Sequence, residues 1–236
     1  EALLARIGQT YSSTQGAGLA FLAEESSSPT RSRLVRGLKQ KFPQAIWAEY
    51  EPVTDEAPLA AAQAAFGSAV KPLYNFAKAQ RIVSIDADFL HAEAGSLRAA
   101  RGFASARRVT KKSDPMNRLY VAESGLTLTG SMADHRLRLA SSHMLAFAAA
   151  LAGELDAEAR STLQPLTQGL DLNKQWLAEC AKDLLAHRGS SLIVAGAHLP
   201  VAAHAIVYWM NELLGAAGQT VDYVAVESSA AASIGD

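Results

Sequence analysis

The sequence predicts an α/β protein built from parallel-sheet lobes with helices on both faces. Three observations lead there. Short apolar runs near residues 19–23, 45–50, 81–85, 119–122 and 191–195 have the length of buried strands rather than of helices. Segments with helical apolar spacing separate most of them, and the crossovers are long enough to require parallel pairing of the strands they join. The 236 residues are 49% hydrophobic and 19% charged, enough to bury a substantial core.

The elements follow in order. The run at 19–23 ends in Glu24-Glu25-Ser26-Ser27-Ser28, and Pro29 then opens a helix. Serine followed by proline at the first helical position is a start signal, because the hydroxyl accepts an orphan N–H and proline lacks that donor. Leu34, Val35, Leu38 and Phe42 recur at helical spacing and predict one buried face, and Pro43 stops the helix. Ile46, Trp47 and Tyr50 mark the second strand, which completes a β-α-β unit. Pro52 and Pro58 mark a loop, residues 59–66 an alanine-rich helix, and Pro72 the start of a short helix carrying Leu73, Phe76 and Ala77. Residues 81–85 form the next strand and deliver Asp86 and Asp88 to its end. The basic stretch 95–109 is a solvated helix face anchored by Leu97 and Phe103. The strand at 119–122 delivers Glu123 and Ser124, and an alanine-rich helix covers 141–151.

The division expected is an α/β lobe over 1–152, a second α/β lobe or continuation over 153–226, and a flexible tail over 227–236. Helices are expected near 156–166 and 172–185, with a break from Pro165 to Gly169 between them. A strand at 191–195, a helix from Pro200 and a last strand at 221–226 complete the chain. Its start at Glu1, without a methionine or a signal sequence, predicts a piece of a longer protein.

Composition excludes several classes. A net charge of −1 gives no basic footprint for nucleic acid. No apolar run is long enough to span a bilayer. The single cysteine, Cys180, forms no internal disulfide and no cysteine-ligated cluster, and its neighbours Leu177, Ala181 and Leu184 place it on the buried side of a helix.

The candidate chemistry gathers where strands end. In an open α/β sheet, ligands bind beyond the carboxyl ends of the strands. Glu123, Ser124, Thr127, Thr129 and Asp134 occupy one such loop, rich in hydroxyls and glycines, and Asp86 stands at another. Ser26, Ser27 and Thr30 sit at a helix N-terminus, where anions are favoured. His198 is the polar candidate at the exit of the 191–195 strand. No GxGxxG, P-loop, HExxH or GxSxG motif is present, so the residues themselves identify neither a catalytic nor a metal site.

The stretches LAFLAEESSSPTRSRLVRGLKQKFPQA, KPLYNFAKAQRIVSIDADFL, GSLRAARGFASARR, MNRLYVAESGLTLTGSMADHRL and SSLIVAGAHLPVAAHAIVYWMNELLG together cover most of the chain. In their order they resemble the molybdopterin oxidoreductase superfamily. More closely, they resemble the molybdopterin-oxidoreductase-like half of the large iron–sulfur subunit of alternative complex III, a quinol:electron-acceptor oxidoreductase. The resemblance implies Rossmann-like lobes of the kind that hold the pterin cofactor. In catalytic members, the region similar to RLYVAESGLTLTGSMAD helps to bind molybdopterin guanine dinucleotide through an aspartate after the strand; here Glu123-Ser124 takes that place. The cluster cysteines and the molybdenum-ligating side chain expected of catalytic members have no counterpart in the sequence.

Resemblance to the complex subunit therefore implies a scaffold that carries no pterin, with iron–sulfur clusters in a different, C-terminal half. It also implies partners among the other subunits of a membrane-bound redox complex, on the periplasmic side of a bacterial cytoplasmic membrane. Two alternatives stand beside it: the guanine dinucleotide-binding domain of an active molybdenum enzyme, and a stand-alone nucleotide-binding module.

Overall fold

A computed structural model describes residues 1–51, 56–169 and 171–226. The expected tail at 227–236 and the Pro52 end of the expected loop lie outside the described residues. The chain divides into two compact units, the first holding residues 1–54 and the second 55–225.

The first unit contains α1 (Ala2–Ser12), β1 (Ala20–Ala23), α2 (Pro29–Lys41) and β2 (Ile46–Glu49). β1 and β2 pair in parallel, with Phe21 opposite Trp47 and Leu22 opposite Ala48. Their side chains alternate between two faces. Phe21 and Trp47 share one face, where the Arg31 guanidinium lies over the Trp47 ring and pairs with Glu49. Ala20, Leu22, Ile46 and Ala48 share the other face and are exposed. The buried face expected on α2 is corrected: no residue of the helix is buried, Leu34 is 65% exposed, and only Phe42, just beyond the helix end, is buried. A two-stranded sheet offers too little surface to cover a four-turn helix.

The second unit carries the large sheet. Its elements are α3 (Glu56–Phe66), β3 (Val70–Tyr74), β4 (Arg81–Ile85), α4 (Ser96–Ser105), β5 (Arg118–Glu123), α5 (Leu128–Ser131), β6 (His135–Arg138), α6 (Met144–Leu155), α7 (Ala157–Thr167), α8 (Lys174–Ala186), β7 (Ser191–Ala195), α9 (Val201–Leu213) and β8 (Val221–Ala225). Strands β6, β5, β4 and β7 lie side by side in that order, all parallel. The sheet therefore draws strands from both sides of residue 152. One face buries Val83, Ile85, Tyr120, Ala122 and Ile193 against α6, α8 and α9. The other buries Ile82, Leu119, Val121, Leu192 and Val194 against Phe76, Phe89 and the Phe103 side of α4. Strands covered on both faces read as continuous apolar runs, which is why they stand out in the sequence.

Three expectations change. Residues 70–74, expected to open a short helix at Pro72, form β3, which pairs antiparallel with β8 in a separate two-stranded sheet. Proline suits such a ribbon because its missing N–H costs nothing on an unpaired edge. Leu97 is 88% exposed and does not anchor α4; Phe103 does, as expected, together with Ala99. The helix expected to break at Pro165 continues to Thr167, with Asp156 capping its start.

Asn211 closes the outer edge of β7. Its side-chain oxygen accepts the Ile193 N–H at 2.9 Å and its nitrogen donates to the Ile193 carbonyl at 2.8 Å. Cys180 is fully buried in α8, and burial pushes its thiol pKa far up. Among the described residues, no helix is long and apolar enough to cross a membrane.

Candidate functional site at the carboxyl edge of the sheet

Three carboxylates follow the strands and the loops beyond them. β4 ends on Ile85, and Asp86 then adopts φ +48°, a left-handed conformation that only a few non-glycine residues tolerate. The turn is held from several sides. The Asp86 N–H donates to the Ala122 carbonyl at 2.7 Å, and Ser84 Oγ donates to the Ala87 carbonyl at 2.6 Å. Gly196, at the exit of β7, packs so closely that a Cβ there would lie 2.2 Å from the Asp86 carbonyl oxygen.

Asp86 is the hub of one cluster. Its Oδ1 accepts the Ser124 N–H at 3.1 Å, its Oδ2 lies 3.2 Å from Ser141 Oγ, and His198 Nε2 stands 3.3 Å from Oδ2. The Asp86 side chain is mostly covered, whereas His198 is 58% exposed. The cluster thus presents two hydroxyls and an imidazole around a single carboxylate.

Glu123 is turned inward. The residue is 1% exposed; Arg136 Nε donates to Oε1 at 2.5 Å and Thr127 Oγ1 to Oε2 at 2.6 Å. Thr127 in turn accepts the Gly130 N–H at 3.0 Å and caps α5. Gly130 leaves the space that the carboxylate occupies, since a Cβ there would lie 1.7 Å from Oε1. Thr129 is fully buried; its hydroxyl donates to Asp88 Oδ1 at 2.7 Å and accepts the Leu90 N–H at 3.1 Å. These bonds join the loop after β4 to the loop after β5.

Asp134 lies elsewhere. Its N–H donates to the Leu119 carbonyl, its carboxylate accepts the Leu119 N–H at 2.8 Å, and the Arg107 guanidinium grips both its oxygens at 2.6 and 2.8 Å. That is the amino end of β5, the opposite edge of the sheet from Glu123. Burial pushes the Asp134 pKa up, but the Arg107 fork and the Leu119 N–H outweigh it and hold the carboxyl below its usual value. The same edge carries Asp183, which accepts from Arg81, Arg118 and the Tyr120 hydroxyl, each at 2.7 to 2.8 Å.

Ser26, Ser27 and Thr30 belong to the first unit. Ser26 Oγ accepts the Ser28 N–H, Ser28 Oγ accepts the Arg31 N–H and caps α2, and Ser27 and Thr30 are exposed. The sequence reading missed Ser141 and Arg136. In a parallel sheet, residues just after a strand stand at the carboxyl edge and residues just before one at the amino edge. Applied to β6, that rule places Ser141 near Asp86 and takes Asp134 away.

The arrangement bears directly on a pterin dinucleotide. Glu123 does not fit the role of an open carboxylate for a nucleotide, because two side chains of its own chain already engage it. Among the described residues, no group of three or more histidines, cysteines or carboxylates is placed to hold a metal ion.

No protein-family model matches the sequence, and no curated protein matches it. Among solved structures, the chain is similar to acetylene hydratase from Pelobacter acetylenicus, with a TM-score of 0.57 and 13% identity over 94% of this chain and 32% of that one. The chain spans about a third of the length of that structure. The likeness is one of fold alone: a parallel α/β sheet with helices on both faces.

Proposed function

We propose that this molybdopterin oxidoreductase-like domain is a scaffold of a membrane-bound respiratory electron-transfer complex and binds no pterin itself. The observation that carries this reading is Glu123. At the position where the resemblance expects a nucleotide-binding aspartate, the chain has a longer carboxylate folded back onto Arg136 and Thr127. A buried ion pair of this kind gives up its partner only at a cost of about 3 kcal/mol or more, so a ligand would compete against the fold itself.

The complex, its place and its partners rest on the resemblance to the alternative complex III subunit. They comprise cluster-bearing and membrane subunits on the periplasmic side of a bacterial membrane, with iron–sulfur clusters outside this chain. Molybdenum and pterin analysis of the purified full-length protein, in its native assembly, tests the reading. We expect neither above background; stoichiometric molybdenum would overturn it.

A second reading has its own support. The Asp86, Ser124, Ser141 and His198 cluster is open to solvent on its histidine side and could receive a ligand's hydroxyl or phosphate. On that reading the chain is the guanine dinucleotide-binding domain of an active molybdenum enzyme, or a nucleotide-binding module. Calorimetry with guanine nucleotides separates them: saturable heat that is lost in Asp86→Asn favours binding, and none favours the scaffold.

A further inference from the structure

We propose that the groove between α7 and α9 binds a small organic cation, an ammonium group carried on an apolar body. Both helices pack against α6, and between them lies a groove of about 460 Å³, formed entirely within the second unit. That volume falls in the range of small-molecule sites, roughly 300 to 1,000 Å³.

Its apolar lining comes from Ala159 and Leu163 of α7 and from Ala205, Ile206 and Trp209 of α9. Trp209 stands apart from the other tryptophans. Trp47 and Trp176 are half-buried and packed against aromatic rings, whereas Trp209 is 39% exposed. A large apolar ring left beside an open groove gains by being covered.

Three polar residues complete the lining: Asp156, Glu158 and Thr162. Two are carboxylates, and among the described lining residues none is cationic. Arg160, the one cation of α7, is held at the end of α6 instead: its Nε donates to the Gly153 carbonyl at 2.9 Å and its Nη2 pairs with Glu154 at 3.1 Å. Helix capping offsets part of the negative charge. Asp156 Oδ1 accepts the Ala159 N–H at 2.8 Å, and the start of α7 sets about half a positive charge against the two negative ones. The groove therefore stays negative, which favours a cation and disfavours an anion. An ammonium against the Trp209 ring gains a cation–π contact, for which tryptophan is the best partner, while the apolar body covers Leu163 and Ile206. The groove shares no residue with the Asp86 cluster, so the proposal does not depend on whether pterin binds.

Hexyltrimethylammonium, hexanol and hexanoate, titrated onto the full chain and followed by the NMR shift of the Trp209 indole N–H, test the proposal. The cation should bind at about millimolar concentration or below, hexanol at least about fivefold more weakly, and hexanoate not at all. Glu158→Gln keeps the size and removes the charge at an exposed position; it should weaken the cation about threefold and leave hexanol unchanged. Trp209→Leu keeps an apolar surface and removes the aromatic face; followed through the Ile206 methyl shifts, it should weaken the cation about fivefold. No Trp209 shift with the cation would overturn the proposal, as would hexanol or hexanoate binding as tightly, equal shifts at Trp47 and Trp176, or cation affinity unchanged in either variant.

Discussion

Glu123 shows how a strand-end carboxylate becomes structural. With Gly130 against it, the side chain has one place to go, and Arg136 and Thr127 complete its shell. Gly130→Ala should displace that carboxylate and cost roughly 3 kcal/mol, as breaking a buried ion pair does; urea unfolding reads it, and an unchanged midpoint would show that the carboxylate has room to move. Glu123→Ala should likewise lower stability more than redox turnover, a contrast that loss of turnover in a normally assembled complex would contradict. Acid should act through Asp134 and Asp183, whose folded-state pKa values lie below the ordinary one. Their stabilisation is complete above the unfolded carboxylate pKa of about 4 and is lost as pH falls through the folded values. Asp134→Asn should therefore lower the melting temperature at neutral pH and flatten its fall below about pH 4; an acid limb as steep as wild type would exclude Asp134 as a contributor. The strand-end positions of Asp86, Glu123 and His198 were legible in the sequence because apolar runs end sharply. The inward turn of Glu123 was not, since it depends on Arg136 from the neighbouring strand and on the missing Cβ of Gly130.

Among the elements, β7 shows what holds a parallel edge strand in place. Asn211 on α9 takes the part of an absent neighbour by bonding both the N–H and the carbonyl of Ile193, and Thr220 bonds the Ser191 carbonyl at 2.7 Å. Asn211→Ala should orphan two buried backbone groups and cost about 3 kcal/mol, whereas a loss below about 1 kcal/mol would mean that water replaces the side chain. Strands β4, β5 and β7 were legible because both their faces are buried. β3 was not, because Pro72, Leu73 and Phe76 also fit a helical spacing and only pairing with β8, about 150 residues later in the chain, decides between them.

At the scale of the whole molecule, the two units differ in what they bury. The second packs a sheet between helices; the first has two parallel strands, a helix with no buried residue, and an apolar face of Ala20, Leu22, Ile46 and Ala48 left exposed. Hydrogen exchange should follow that contrast, with β1 and β2 amides opening at a small fraction of the global unfolding free energy and β4 and β5 amides close to all of it. Equal protection in both units would refute this. The α/β class was legible from composition and crossover length, but the unequal sharing of the core was not, because it depends on how many strands each sheet gathers. The solitary thiol adds a practical consequence. Cys180 is sealed in α8 and stays protonated, so a cysteine installed at exposed Leu97 would be the one that a maleimide dye labels in the folded chain. Slow labelling of Cys180 itself would then serve as a clock for the opening of α8.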